Sequence, residues 1–234
     1  MAHFGAVAGR RLGDGISVVP FDDRTSSTAV VYALGDAALV ACSSSLATHL
    51  APLDGHRADE VLDALADLGG RPVDAGLNLI WADAGVAPQT TSPDDRVTWI
   101  DVADPADLAL VDQLVEACSE DDVEAADIDL DSPDPHIVVS MTEDGTVSSY
   151  ASGRPFWAFA DCDDIGVLVH PEHRRRGLGR SIVSEFVRRR RSARVLLYRH
   201  GDDNPGSAAI ARGVGFSPVH EVHAVSFEEA QLGE

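Results

Sequence analysis

Apolar residues recur along this chain with two periods, and the changes between them separate strands from helices. Ile16 to Val19, Thr28 to Tyr32 and Ala38 to Ala41 are short runs of β-branched or small apolar residues and read as strands. Val61, Leu62, Leu65 and Leu68 share one face of a helix, which Gly69-Gly70 then ends. Leu77 to Trp81 reads as a closing strand. Residues 87–96 are polar, hold two prolines and show no period, so they read as a linker.

Beyond it a second series begins. Val97 to Ile100 predicts a strand. Asp104-Pro105-Ala106-Asp107 then predicts a helix start, with an Asp cap, Pro at the first position and an acid in the first turn. Leu108, Val111, Leu114, Val115 and Cys118 would be its buried face. Residues 120–131 carry seven acids and predict a solvated helix and loop. Ile137 to Met141 and Val147 to Tyr150 flank Asp144-Gly145, a hairpin signal. Phe156 to Ala160 would continue the sheet, followed by Ile165 to Val169.

The next segment carries the candidate chemistry. Arg174-Arg175-Arg176-Gly177-Leu178-Gly179 lies between that strand and a stretch in which Leu178, Ile182, Val183, Phe186 and Val187 make one apolar helical face. The first turn of such a helix has N–H groups without intrahelical partners, and the macrodipole adds positive potential there. Glycines let a ligand approach, so the turn suits a phosphate or diphosphate. A strand at Val195 to Tyr198 follows, then Asn204-Pro205-Gly206-Ser207 and a helical stretch to Gly215-Phe216. A last strand spans Glu221 to Phe227.

Strand, Arg-x-x-Gly-x-Gly and helix, followed by Asn, helix and Gly-Phe, resemble the two signatures of the GNAT superfamily of acyl-CoA-dependent N-acyltransferases. The resemblance covers roughly residues 97–228. It implies an α/β (α+β) fold with a mixed, mostly antiparallel sheet and splayed central strands, preceded by a small α/β module. The expected division is residues 1–90, of unassigned role, and an acetyltransferase domain at 97–234. The implied co-substrate is acetyl-CoA. Its pantetheine arm would pair with the backbone of Val167, Leu168 and Val169. Its diphosphate would sit on the N–H groups from Arg175 through Arg176, Gly177, Leu178 and Gly179 to Arg180. Arg174 fills the first position of the motif, and Asn204 and Ser207 would meet the coenzyme from the second.

Acyl transfer to an amine requires a proton acceptor, a donor to the thioester oxyanion and a leaving thiolate. Asp164 is the leading base, with Asp163 and Glu172 as alternatives. The resemblance places the oxyanion donor at the backbone of Leu168 or Val169. Many members have a general-acid Tyr at the position that here is Ala211, so either the acid lies elsewhere, with Tyr198 and Tyr150 as substitutes, or none is needed. For a thiol near pKa ~8.5 the loss costs little.

Charge narrows the partners. The chain has 39 acidic residues against 18 basic, and all 18 are arginine. Up to His173 there are 7 arginines against 32 acids, and from Arg174 onward 11 against 7. The positive segment coincides with the anion-binding turn, and the acidic remainder suits a cationic amine. A net charge of −21 disfavours nucleic acid. No apolar run reaches membrane-spanning length, which argues against a membrane partner. Cys42, Cys118 and Cys162 lie far apart without metal-ligand spacing, so neither a zinc site nor a disulfide framework is expected. The N-terminus lacks the layout of a secretory signal, and a cytoplasmic location and a homodimer are the accompanying expectations. The reading is therefore an acetyl-CoA-dependent N-acetyltransferase. Its alternative is a non-catalytic acyl-CoA sensor or scaffold.

Overall fold

The structure, a computed structural model, describes residues 6–7, 10–11, 14–20, 27–34, 36–81, 96–156 and 162–228. The expected linker, apart from Arg96, and the expected strand residues Trp157 to Ala160 lie outside the described residues. Contacts sort the chain into two compact units. One comprises Met1–Leu79, Arg199–Asn204 and Pro218–Glu234, the other Ile80–Tyr198 and Pro205–Ser217.

The first unit holds the short pair β1 (Ala6–Val7) and β2 (Arg10–Arg11), then β3 (Gly15–Pro20), β4 (Thr28–Leu34) and β5 (Ala37–Cys42). Helices α1 (Ser44–Leu50) and α2 (Val61–Asp67) follow, then β6 (Arg71–Trp81). β3 pairs in parallel with β5, which pairs antiparallel with β4. Ile16, Val31, Val40, Leu46, Leu50 and Leu65 form its core. β3, β4, β5 and α2 fall where the sequence period places them, and β6 begins at Arg71, six residues before the expected closing strand, whereas β1, β2 and α1 have no counterpart in that reading. Helix α1 is seven residues long, with Ser43 capping Leu46 N–H. Leu46 and Leu50, spaced i, i+4, are its buried residues, so tertiary burial of a two-residue face, too short to read as a period, sustains it.

The second unit runs β7 (Arg96–Ile100), α3 (Pro105–Ala117), α4 (Glu120–Ala125), β8 (His136–Met141), β9 (Val147–Pro155) and β10 (Cys162–Val169). It continues with α5 (Leu178–Arg190), β11 (Val195–Gly201) and α6 (Pro205–Val214). The last strand, β12 (Phe216–Ser226), lies from Pro218 onward in the first unit, where Glu221–Ser226 pair antiparallel with β4. Strand order in the second unit is β11-β10-β9-β8-β7, antiparallel except for β10 beside β11. α3 and α4 cover one face, where Val111, Leu114 and Ala126 meet Ile137, Tyr150 and Leu168. α5 covers the other, with Phe186 stacked 5.7 Å from Trp99. Asp104 caps α3 as its sequence predicts, accepting from Ala106 N–H at 2.9 Å.

Candidate functional site

Two strands that should run side by side part company at the centre of the second unit. The parallel register of β10 and β11 runs from Cys162↔Val195 to Ile165↔Tyr198 and ends. β10 continues for four more residues, about 13 Å of strand, with its other edge paired to β9 as far as Val169↔Ser149. Cys162 C=O accepts from Phe156 N–H, and His170 N–H donates to Ser148 C=O, both on the β9 side. Strict alternation therefore turns the backbone groups of Gly166 and Leu168 toward β9, and those of Val167 and Val169 toward the opening. Val167 and Val169 are half-buried.

At the same end of β10 lies the arginine-glycine loop. Arg175 and Gly177 both have positive φ, +62° and +82°, and curl the chain into the start of α5. Gly177 is the N-cap and offers no side chain to the helix, whose first bond is Ser181 N–H to Gly177 C=O at 3.0 Å. The N–H groups of Leu178, Gly179 and Arg180 are thus left facing outward. The two motif glycines answer to different constraints. A Cβ on Gly177 would meet nothing, so its backbone conformation is what matters there. A Cβ on Gly179 would lie 2.7 Å from Ile210 Cδ1, so its role is close packing of α5 on α6.

The arginines divide as well. Arg174 is already engaged: Nε donates to Val169 C=O at 3.1 Å and Nη2 to Asp122 Oδ2 at 2.8 Å. Arg176 lies 3.2 Å from His173 Nδ1. Those at the end of α5 serve structure. Arg190 and Arg194 both pair with the buried Asp163, at 2.9 and 2.8 Å, and Arg188 pairs with Glu185. Arg189 stands over the Trp99 ring.

Of the carboxylates considered as base, Asp163 is held by those arginines on the α5 face, and Glu172 is exposed in the short turn after β10. Asp164 points to the opposite, α3/α4 face, 6% exposed, with Arg154 across the strand pair. Arg154 is itself tied to Asp134 at 2.5 Å and to Asp127. Between the end of α3, α4 and the residues that follow it, an open cleft of about 460 Å³ has apolar walls from Val115, Val123 and Ile128 and an acidic rim of Glu120, Glu124 and Asp127.

Tyr198 sits where the parallel pairing ends, buried on the α6 face. Its Oη shares a hydrogen bond of 2.8 Å with Ser207 Oγ, and its ring lies 5.3 Å from Phe216. Burial pushes the phenol up to about 12, with Ser207 pulling slightly the other way. Tyr150, also buried, lies among the α3/α4 core residues. Asn204 precedes α6, and its N–H donates to Gly201 C=O at 3.2 Å. Asp122 is the residue at this site that the sequence reading missed. Its signal was Ser119-x-x-Asp122 at a helix start, which reads only as a cap.

Residues 104–216 match the family described as "Acetyltransferase (GNAT) family". Over 93 residues the chain is 33% identical to a mycothiol acetyltransferase of Kineococcus radiotolerans, covering 39% of this chain and 30% of that protein. The chain thus spans under a third of that relative's length. Among solved structures, a GCN5-related N-acetyltransferase from Kribbella flavida superposes with a TM-score of 0.54 at 17% identity, covering 75% of this chain and 65% of that one. A tandem GNAT protein from the clavulanic acid biosynthesis pathway gives 0.54 at 14%, covering 74% and 59%. At these identities the structural likeness establishes the fold. It has the mixed, mostly antiparallel character expected from the sequence.

Proposed function

We propose, on the match of residues 104–216 to the acetyltransferase (GNAT) family, that this chain transfers an acetyl group from acetyl-CoA to a primary amine by direct attack, with no covalent enzyme intermediate. One observation carries the reading: the β10–β11 pairing stops at Ile165↔Tyr198, and the opening leads out to an uncapped, glycine-led helix start. The N–H groups from Arg175 to Arg180 bind the diphosphate. Val167 offers its backbone edge to the pantetheine arm, in the manner of strand addition.

With the diphosphate at the mouth, the thioester at the far end of the arm lies deepest. The deepest N–H facing the opening belongs to Val167, which makes it the oxyanion donor. It is preferred over Leu168, whose N–H turns to β9, and over Val169, which lies nearer the mouth. The acceptor enters from the α3/α4 face, where the acidic rim of the cleft suits a cationic amine. Asp164, on that face, takes the amine proton through a water as nitrogen attacks the carbonyl carbon. As the C–S bond breaks, Tyr198 on the opposite face donates a hydrogen bond to the leaving thiolate. A phenol near 12 does not surrender its proton to a thiolate whose own pKa is near ~8.5, so its part is to stabilise the anion.

The test is release of free thiol from acetyl-CoA in the presence of spermidine, ethanolamine, glucosamine or a lysine-bearing peptide. Amine-dependent release is expected, and Asp164→Asn should keep acetyl-CoA affinity while losing most turnover near neutral pH. Saturable acetyl-CoA binding without release for any of these amines would replace this reading with that of a coenzyme sensor.

A further inference from the structure

Three elements converge on one carbonyl at the mouth of the opening. Val169 C=O accepts from Arg174 Nε at 3.1 Å, and Cys118 Sγ, at the end of α3, lies 4.0 Å from it. Arg174 is fixed in turn by Asp122 of α4 at 2.8 Å. Asp122 occupies the third position of its helix, where an acid usually reaches back to the cap backbone. Here its carboxylate takes the Ser119 hydroxyl and the Arg174 fork instead. That guanidinium beside it holds its pKa below the usual carboxylate range.

The Val169 carbonyl is one of the groups that alternation aims at the opening. An extended coenzyme arm could pair with either of two residues there, Val167 or Val169, and the choices differ by about 7 Å along the strand. With its carbonyl taken by the Arg174 and Cys118 side chains, Val169 offers an arm only its N–H, whereas Val167 offers both groups, so a register that uses a C=O and an N–H together is left at Val167 alone. We propose that Arg174 and Asp122 are positioning residues: by capping Val169 C=O they confine the arm to Val167 and so set where the thioester stops. Arg174, at the motif position expected to touch the coenzyme, acts through the strand instead. Lysine cannot replace it, because one ammonium does not reproduce a planar fork that reaches a carbonyl and a carboxylate together.

This inference rests on the transferase reading above. The experiment compares wild type, Arg174→Lys, Asp122→Asn and Asp122→Glu, measuring acetyl-CoA Kd by calorimetry and kcat with the best acceptor of the four amines. A misplaced thioester costs rate rather than binding, so kcat should fall on the order of tenfold or more in Arg174→Lys. It should fall severalfold in Asp122→Asn and recover in Asp122→Glu, with Kd within about threefold throughout. The pair is partly exposed, at 40% and 34%, so all variants should remain folded. A loss confined to Kd would make Arg174 an ordinary coenzyme ligand and overturn the inference, as would wild-type kcat in Arg174→Lys and Asp122→Asn. If the wild type turns over none of the amines, the transferase reading fails and this inference falls with it.

Discussion

Gly177 and Gly179 stand two positions apart and should respond oppositely to substitution. Gly177→Ala forces a Cβ into left-handed backbone, a cost of about 1 kcal/mol that falls on the loop. Acetyl-CoA Kd should rise about fivefold with thermal stability nearly unchanged. Gly179→Val drives a side chain into Ile210 and should instead lower stability by about 1–3 kcal/mol, read in a melting curve. The packing role of Gly179 is not legible in the hexad itself, because its partner, Ile210 of α6, lies some thirty residues downstream. Tyr198 gives a second residue-scale test. Its phenol ionises near 10 when unfolded and near 12 when folded, so its contribution to stability is complete below pH 10 and is lost as pH rises toward 12. Melting temperature should drop across that window, and less so in Tyr198→Phe.

Elements were the most legible scale, and the reason is periodic burial. α5 spans Leu178–Arg190 with Ile182, Val183, Phe186 and Val187 buried, the face that spacing alone predicts. Its terminal arginines are another matter. Read along the chain they complement the helix dipole, but in three dimensions they bolt α5 to the first residues of β10 through Asp163. Asp163→Asn removes a carboxylate that is 2% exposed and leaves two guanidinium groups facing each other. A loss of about 3 kcal/mol is expected in denaturant unfolding. The extent of the opening was equally hidden. Ile165 to Val169 reads as one uninterrupted strand, and only the register against β11 divides its paired half from its unpaired half. Cross-strand partners are distant in sequence, so no local pattern records them.

At the scale of the whole chain, a formal −21 with the arginines gathered after His173 gives a field that draws cations to the molecule and anions to one segment of it. The KM for a polyamine acceptor should therefore rise severalfold between about 20 and 200 mM salt, as the screening length shrinks. A steady-state titration in sodium chloride reads this directly. The parted strands carry a last consequence. Beyond Ile165 only Val167 and Val169 turn backbone groups toward the side where a continuous sheet would supply β11 partners, and an unfilled rung there is stability held in reserve. A guest that docks only on the folded chain raises its stability by about 2.7 kcal/mol at a hundred times its Kd. On the proposed function, the resistance of this protein to heat and proteolysis should thus rise with the concentration of acetyl-CoA.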